Sequence, residues 1–275
     1  MSGEVFFKMS GSGNDFVFLD ARWTSPERWT AERIRRVCDR RTGVGADGLI
    51  LLAPGSDAGR VRFRYFNSDG SHGAMCGNGA LCATRLAVLL EMAPADAVEL
   101  ETDAGVVRSR CVPGSSDRAE LVLPDVREVR SLSVDLEPGE QRIGFALVGV
   151  PHVVVLVASL EDVNLAERGR VLRFHPELAP GGANVNFVSR VNAGWAMRTY
   201  ERGVEAETLA CGTGAVACAT LLGGWGAAEV PLDMKTRSGR VLTVTGSREA
   251  SGGLSGPTLQ GEGRLVFRGA LGPDL

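Results

Sequence analysis

The pentapeptide Cys76-Gly77-Asn78-Gly79-Ala80 returns as Cys211-Gly212-Thr213-Gly214-Ala215, 135 positions later in a chain of 275 residues. The repeat is not isolated. Thr102-Asp103-Ala104-Gly105 recurs as Thr236-Arg237-Ser238-Gly239, and Gly45-Ala46-Asp47 recurs as Gly182-Ala183-Asn184. Gly13-Asn14-Asp15 stands before one apolar run, and Gly149-Val150-Pro151-His152 stands before another. Four landmarks in one order, at nearly constant offset, indicate an internal duplication. The chain must therefore fold as two similar halves.

Each copy of the pentapeptide leads into a run that is apolar on nearly every side. Ala80 to Leu90 is interrupted only by Thr84 and Arg85, and Ala215 to Leu222 only by Thr220. A helix that is apolar all round belongs inside a core, and both runs are shorter than the ~18 residues of a membrane span. The spacing thus predicts two buried helices, each with a thiol at its N-terminus. Helix geometry leaves the first N–H groups without intrahelical acceptors, and the aligned peptide dipoles place about half a positive charge there. A thiol in that field loses its proton more readily, and a carboxylate can settle on the N–H groups. A free Cys on its own is more often an inert core residue; it is the pairing that argues for chemistry.

The remaining pattern is strand-rich. Val5 to Phe7, Asp15 to Asp20, Gly48 to Ala53 and Arg60 to Phe66 read as strands, with a helix from Ser25 to Arg40. Val98 to Thr102 with Val106 to Val112 forms a hairpin-like pair, repeated by Val230 to Thr236 with Arg240 to Thr245. Ala119 to Leu123, Arg142 to Val150 and His152 to Ala158 are further strands, and Leu160 to Phe174 a surface helix. Gly11 and Gly13 resemble a dinucleotide fingerprint only superficially, because a strand and not a helix follows. The stretch from Pro124 to Gln141 reads as the domain junction. After Gly246 the chain is rich in Gly and Ser until a last strand, Arg264 to Arg268. The expected fold is α/β (α+β): two pseudo-symmetric duplicated domains, each a curled mixed or antiparallel sheet around a central apolar helix. The first would span residues 1–124, rejoined by the last strand at 264–275, and the second 125–263.

A net charge of −3 gives no electrostatic footprint for nucleic acid. Residues 1–14 lack the apolar core of a signal peptide, and six cysteines in a chain of this length point to free thiols in a reducing cytoplasm. They lack the close Cys-x2-Cys spacing of zinc sites and redox pairs, so no metal is expected. The only lysines are Lys8 and Lys235, and neither is placed as a Schiff base for pyridoxal phosphate. Two thiols on facing half-domains could act on one carbon beside a carboxylate, one removing a proton and the other returning one to the opposite face. That is two-base racemisation or epimerisation, with backbone donors stabilising the carbanion.

Lys8-Met9, Gly13-Asn14-Asp15-Phe16, Phe66-Asn67-Ser68-Asp69-Gly70-Ser71, Cys76-Gly77-Asn78-Gly79, Pro151-His152, Ala183-Asn184, Glu201-Arg202-Gly203 and Ala210-Cys211-Gly212-Thr213-Gly214 together resemble the diaminopimelate epimerase family. The resemblance runs the length of the chain and in the family's order. It implies a cofactor-independent enzyme interconverting LL- and meso-diaminopimelate in lysine and cell-wall biosynthesis, a cytoplasmic location and a homodimer. By position it implies Cys76 and Cys211 as the acid/base pair, assisted by His152 and Glu201. Gly77, Asn78, Gly212 and Thr213 would cradle the reacting carboxylate. Asn14, Asn67, Asn184, Glu201 and Arg202 would bind substrate, with Arg202 clamping the far carboxylate. Three positions depart from the family pattern. Gly48 stands where Gln is frequent, Val150 where Asn commonly precedes Pro-His, and the loop Val204-Glu205-Ala206-Glu207 is one residue longer. The alternatives are a racemase or epimerase of another amino acid, of proline or hydroxyproline type, a thiol redox or metal protein, and a non-catalytic binding member.

Overall fold

Parallel strands need a crossover, and this chain uses one helix for each. A computed structural model of the chain describes residues 3–57, 59–192 and 194–275. It divides into two compact units. One holds the residues up to Leu121 with Gln260–Leu275, and the other holds Val122–Leu259.

In the first unit β1 (Val5–Gly11) and β2 (Asn14–Asp20) pair antiparallel. Helix α1 (Ala31–Cys38) crosses over to β3 (Gly48–Pro54), which lies parallel to β2. Strand β4 (Arg60–Asn67) runs back along β3 and is followed by the short β5 (His72–Gly73). Helix α2 (Gly77–Leu89) crosses to β6 (Val98–Thr102), parallel to β4, and β7 (Gly105–Cys111) and β8 (Arg118–Val122) follow antiparallel.

The second unit repeats the plan. After β9 (Val129–Ser131), β10 (Glu140–Val148) pairs antiparallel with β11 (Val150–Val157). Helix α3 (Leu165–Arg173) crosses to the parallel β12 (Asn184–Val191), and β13 (Gly194–Glu201) runs back, followed by β14 (Ala206–Thr208). Helix α4 (Gly212–Gly224) crosses to β15 (Leu232–Lys235), parallel to β13, with β16 (Val241–Arg248) beside it. Strand β17 (Leu254–Glu262) leads back, and β18 (Arg264–Ala270) pairs with β1. The architecture is the mixed α/β class expected from the repeat.

The two helices of a unit cover opposite faces of its sheet, which explains why the central strands β2, β3, β11 and β12 are buried in runs of five or six consecutive residues. In the first unit Leu49 and Leu51 pack with Trp29, Ile34, Val37 and Cys38 on the α1 side. The intervening Ile50 instead meets the first turn of α2 at Gly79. In the second unit Val153, Val155, Val185 and Phe187 pack with Leu165 and Leu172 on the α3 side. The alternate positions, His152, Val154, Asn186 and Val188, therefore face the α4 side. Two polar residues inside these buried helices satisfy themselves. Thr84 donates to the Ala80 carbonyl and Thr220 to the Val216 carbonyl, each at 2.8 Å.

Some boundaries differ from the sequence reading. Pro26 opens a short 3-10 turn (Pro26–Arg28), and the helix proper starts only after Thr30, whose hydroxyl accepts from the Arg33 N–H at 3.3 Å. The surface helix is confined to Leu165–Arg173. The Gly- and Ser-rich tail contains a nine-residue strand, β17, despite Gly256, Pro257 and Gly261. Non-local pairing decides it: Val126 and Leu254 exchange two backbone hydrogen bonds of 2.8 and 3.0 Å, and the Leu123 N–H reaches the Pro257 carbonyl at 2.9 Å.

Candidate active site

The duplicated thiols occupy the same backbone position in their units. Cys76 is the N-cap of α2, with φ −139° and ψ 119°, and Cys211 is the N-cap of α4, with φ −129° and ψ 109°. Neither first turn carries an acidic residue that would satisfy or neutralise it. Each cap carbonyl accepts the first helical bond, Ala80 N–H to Cys76 at 2.8 Å and Ala215 N–H to Cys211 at 3.0 Å. Cys76 is half-buried and Cys211 is 8 % exposed. The other thiols are of a different kind. Burial pushes Cys38 up to about 11, and raises Cys82 and Cys218 well above the usual thiol value.

Strand register shows which residues are equivalent. Phe16 pairs with Gly48 across β2 and β3, and Gly48 with Asn67 on β4. In the other unit His152 pairs with Asn184, next to the Val185–Tyr200 pair, which brings Glu201 opposite Asn184. Phe16, Gly48, Ile50, Tyr65 and Asn67 thus occupy the positions of His152, Asn184, Asn186, Thr199 and Glu201. The backbone is duplicated, whereas the chemistry at these five positions is not.

In the first unit Asn14 links the α2 terminus to a charged cluster. Asn78 Nδ2 donates to Asn14 Oδ1 at 2.7 Å, and Asn14 Nδ2 donates to Asp47 Oδ2 at 2.9 Å. Asp47 is bridged to Asp15 by Arg40, whose Nη2 lies 2.6 Å from Asp47 and 2.8 Å from Asp15. Buried Lys8 pairs with Asp15 at 2.6 Å and donates to the Gly45 carbonyl. Burial alone would raise the Asp15 carboxyl, but the bonds from Arg40 and Lys8 hold it below the usual aspartate range. Lys8 is therefore spoken for as an ion-pair member. Asn67 is held by Tyr65, whose hydroxyl donates to its Oδ1 at 2.7 Å, and itself donates to Ser71 at 2.9 Å. Gly48 leaves no room for a side chain, because a Cβ there would lie 2.6 Å from the Phe66 carbonyl and 2.7 Å from the Tyr65 ring.

In the second unit His152 is fully buried, with Nε2 3.0 Å from the Thr213 hydroxyl and Nδ1 3.1 Å from Asn186 Nδ2. Burial, with the Arg202 charge nearby, lowers its pKa to about 3, so the ring is neutral. The Thr213 hydroxyl lies 3.7 Å from Cys211 Sγ. Asn184 Oδ1 accepts the Arg202 backbone N–H at 2.8 Å, and the Arg202 guanidinium lies 3.5 Å from the Gly182 carbonyl. Burial raises the Glu201 carboxyl above its usual value. A buried carboxyl that holds its proton more tightly than usual is a candidate for proton exchange.

Two of the residues proposed from sequence are tied by hydrogen bonds to the helix termini, Asn14 to Asn78 and His152 to Thr213, whereas Asn67 is held by Tyr65 and Ser71, and Asn184 by the Arg202 N–H. Asn14, Asn67, Cys76, Gly77 and Asn78 belong to the first unit, and His152, Asn184, Glu201, Arg202, Cys211, Gly212 and Thr213 to the second. Sequence reasoning passed over Asp47, Tyr65, Asn186 and Thr199. Asn186 had left a signal, a polar residue on the inner face of the otherwise apolar run from Val185 to Val188. Among the described residues no group of three or more His, Cys, Asp or Glu side chains is placed to hold a metal ion, and no helix is long and apolar enough to cross a membrane.

A family profile described as diaminopimelate epimerase matches residues 6–117 and 144–252. A diaminopimelate epimerase from Gemmatimonas aurantiaca is 43 % identical over 97 % of this chain and 98 % of its own length. One from Aquifex aeolicus is 43 % identical over 98 % of both chains. Among solved structures, a hydroxyproline epimerase from Agrobacterium vitis with bound trans-4-hydroxy-L-proline shares the fold, with a TM-score of 0.64 over 99 % of this chain and 93 % of its own, at 20 % identity.

Proposed function

The chain belongs to the diaminopimelate epimerase family, and on that premise we propose that it interconverts LL- and meso-diaminopimelate by a two-base exchange between Cys76 and Cys211. One sulfur, as thiolate, takes the proton from the carbon beside a carboxylate. The other, as thiol, gives a proton to the opposite face. The carboxylate is held on the N–H groups at Gly77-Asn78 and Gly212-Thr213, where preorganised dipoles stabilise the charge that builds up as the carbon is deprotonated. His152 and Glu201 assist the proton exchange. Asn14, Asn67 and Asn184 position the substrate, and Arg202 binds its far carboxylate.

The observation that carries this reading is the matched backbone of the two cysteines, each an extended N-cap on a helix buried in its own unit. Stereoisomer analysis of LL-diaminopimelate incubated with reduced protein and no added cofactor tests it. Meso product is expected, and its absence from folded, reduced protein would refute the assignment. Arg202 separates this substrate from amino acids with a single carboxylate, which would have no use for it. The same reading places the chain in the cytoplasm, in the supply of precursors for lysine and the cell wall. It also takes the chain to be a homodimer, and the exposed Leu265, Val266 and Phe267 of β18, with Val5 of β1, offer a contact surface. Phe267→Glu should shift sedimentation from dimer to monomer.

A further inference from the structure

The second unit contains a hydrogen-bond chain whose direction can be worked out atom by atom. The Val153 carbonyl can only accept, so the atom of Asn186 that lies 3.0 Å from it must be the amide nitrogen. The same orientation is demanded on the other side, where the Thr199 hydroxyl donates to Asn186 Oδ1 at 2.9 Å. The second hydrogen of that nitrogen then points to His152 Nδ1 at 3.1 Å. A ring nitrogen that receives a hydrogen bond carries no proton, and a neutral imidazole must carry its one proton on the other nitrogen. His152 is therefore the Nε2–H tautomer and donates to the Thr213 hydroxyl oxygen, 3.0 Å away. With its oxygen occupied in this way, the Thr213 hydroxyl has its own hydrogen to offer, and Cys211 Sγ lies 3.7 Å away.

We propose that Asn186 is a positioning residue that locks His152 in the Nε2–H form and so turns the Thr213 hydroxyl into a hydrogen-bond donor to the Cys211 sulfur. A donor aimed at sulfur favours the thiolate over the thiol, and so prepares Cys211 to act as the base. No bond is made or broken in this relay; it sets which hydrogen points where. The proposal rests on the two-base reading for its consequence, but the tautomer itself does not depend on the substrate.

Two further observations fit. Gly214, in the first turn of α4, lies so close to the relay that a Cβ there would overlap Asn186 Oδ1. The equivalent positions in the first unit hold Ile50 and Phe16, so the relay was added to, or kept in, only one copy of the duplication. Few titratable groups face the cluster among the described residues. The Arg202 charge acts on His152 and favours its neutral ring, Cys218 lies two turns further along α4 from Cys211, and Glu201 projects from the same face of β13 as Thr199.

The direct test is nitrogen NMR of the whole protein labelled at histidine. His152 should show a protonated Nε2 and an unprotonated, hydrogen-bonded Nδ1 from pH 5 to 9. An Nδ1–H tautomer, or a doubly protonated ring in that range, would overturn the proposal without bearing on the epimerase reading, since no substrate is present. The second test is iodoacetamide labelling of Cys211, followed by peptide mass spectrometry as a function of pH. Asn186→Leu and Thr213→Val should each raise the midpoint of Cys211 labelling by about one pH unit, about tenfold in rate below it. The double variant should do no worse than either single one, because both cut the same chain. Unshifted midpoints, or fully additive shifts, would overturn it. A purely structural Asn186 would lower thermal stability and leave the midpoint of the folded protein alone. If Asn186→Leu does not fold, the tautomer measurement on the unsubstituted protein still decides.

Discussion

Gly79 and Gly214 hold the same place in the first turns of α2 and α4, yet replacing each by alanine should have very different consequences. At Gly79 an added Cβ would come 2.8 Å from Ile50 Cδ1. That atom is the end of a flexible side chain and can give way, at a cost of about 1 kcal/mol of overpacking. Alanine returns a similar amount, about 1 kcal/mol, through its better helix propensity. Gly79→Ala should be close to neutral in stability. At Gly214 the Cβ would overlap Asn186 Oδ1 and lie 3.1 Å from Cys211 Sγ. Asn186 cannot swing aside, because Val153, His152 and Thr199 all bond its amide. Moving it costs overpacking of about 2 kcal/mol and weakens three buried hydrogen bonds at roughly 1 kcal/mol each. After the same helix-propensity gain, the net loss is about 3–4 kcal/mol, or roughly 6–16 °C in Tm for a chain of this size. Thermal unfolding of both variants, with epimerisation rates measured at 25 °C, checks this. Gly214→Ala should also lose about a hundredfold in kcat, whereas Gly79→Ala keeps its rate within about threefold. Equal Tm shifts in the two variants would refute the reasoning, because the rigid amide would then be no obstacle.

Other outcomes follow from the same geometry. Arg202→Ala should lower kcat/KM for diaminopimelate by at least about a hundredfold, since it strips a charged partner from the far carboxylate; steady-state kinetics measures it. Glu201 is buried with a raised pKa, so its folded form holds its proton to higher pH than the unfolded form does. Stability is therefore lost as pH rises above about 4.5, where the unfolded chain ionises first, and Glu201→Gln should raise Tm at pH 7 but not at pH 4. Asp15 has the opposite sign: its lowered pKa contributes stability above about 3.8 that disappears as pH falls through the folded value, so Asp15→Asn should narrow the gap in Tm between pH 7 and pH 3. Alkylation of the native protein at pH 8 should label Cys76 and Cys211 and spare Cys38, Cys82 and Cys218, whose thiols burial keeps protonated.

Much of this was legible in the chain because duplication writes each essential feature twice. The two apolar helices announced themselves by having no polar face, and the thiols by standing at their starts. What stayed hidden was decided by contacts between distant residues. Strand β17 contains Gly256, Pro257 and Gly261 and has little intrinsic strand propensity, yet Val126 and Leu123 pair with it across more than a hundred residues. The role of Lys8 could not be read from its apolar neighbours, because its partner Asp15 lies on the adjacent strand and a second charge, Arg40, comes from beyond α1. Asn186 was passed over, although it is the one polar residue between Val185 and Val188. Only the pleat, which turns it and His152 to one face under α4, shows that the two copies fill the space beneath their helices differently: an apolar Ile50 near Gly79 in one, a hydrogen-bonded Asn186 and His152 in the other.

The central claim, that two separate sulfurs each serve one face of the reacting carbon, is tested most directly in deuterated water. LL-diaminopimelate is incubated with the enzyme and sampled before one tenth is converted. The account predicts meso product carrying deuterium at the inverted carbon, delivered by a thiol that has exchanged with solvent, while the remaining LL substrate keeps its original hydrogen. Product that retains the substrate's own hydrogen would mean that a single base carries the proton across, and would contradict the account.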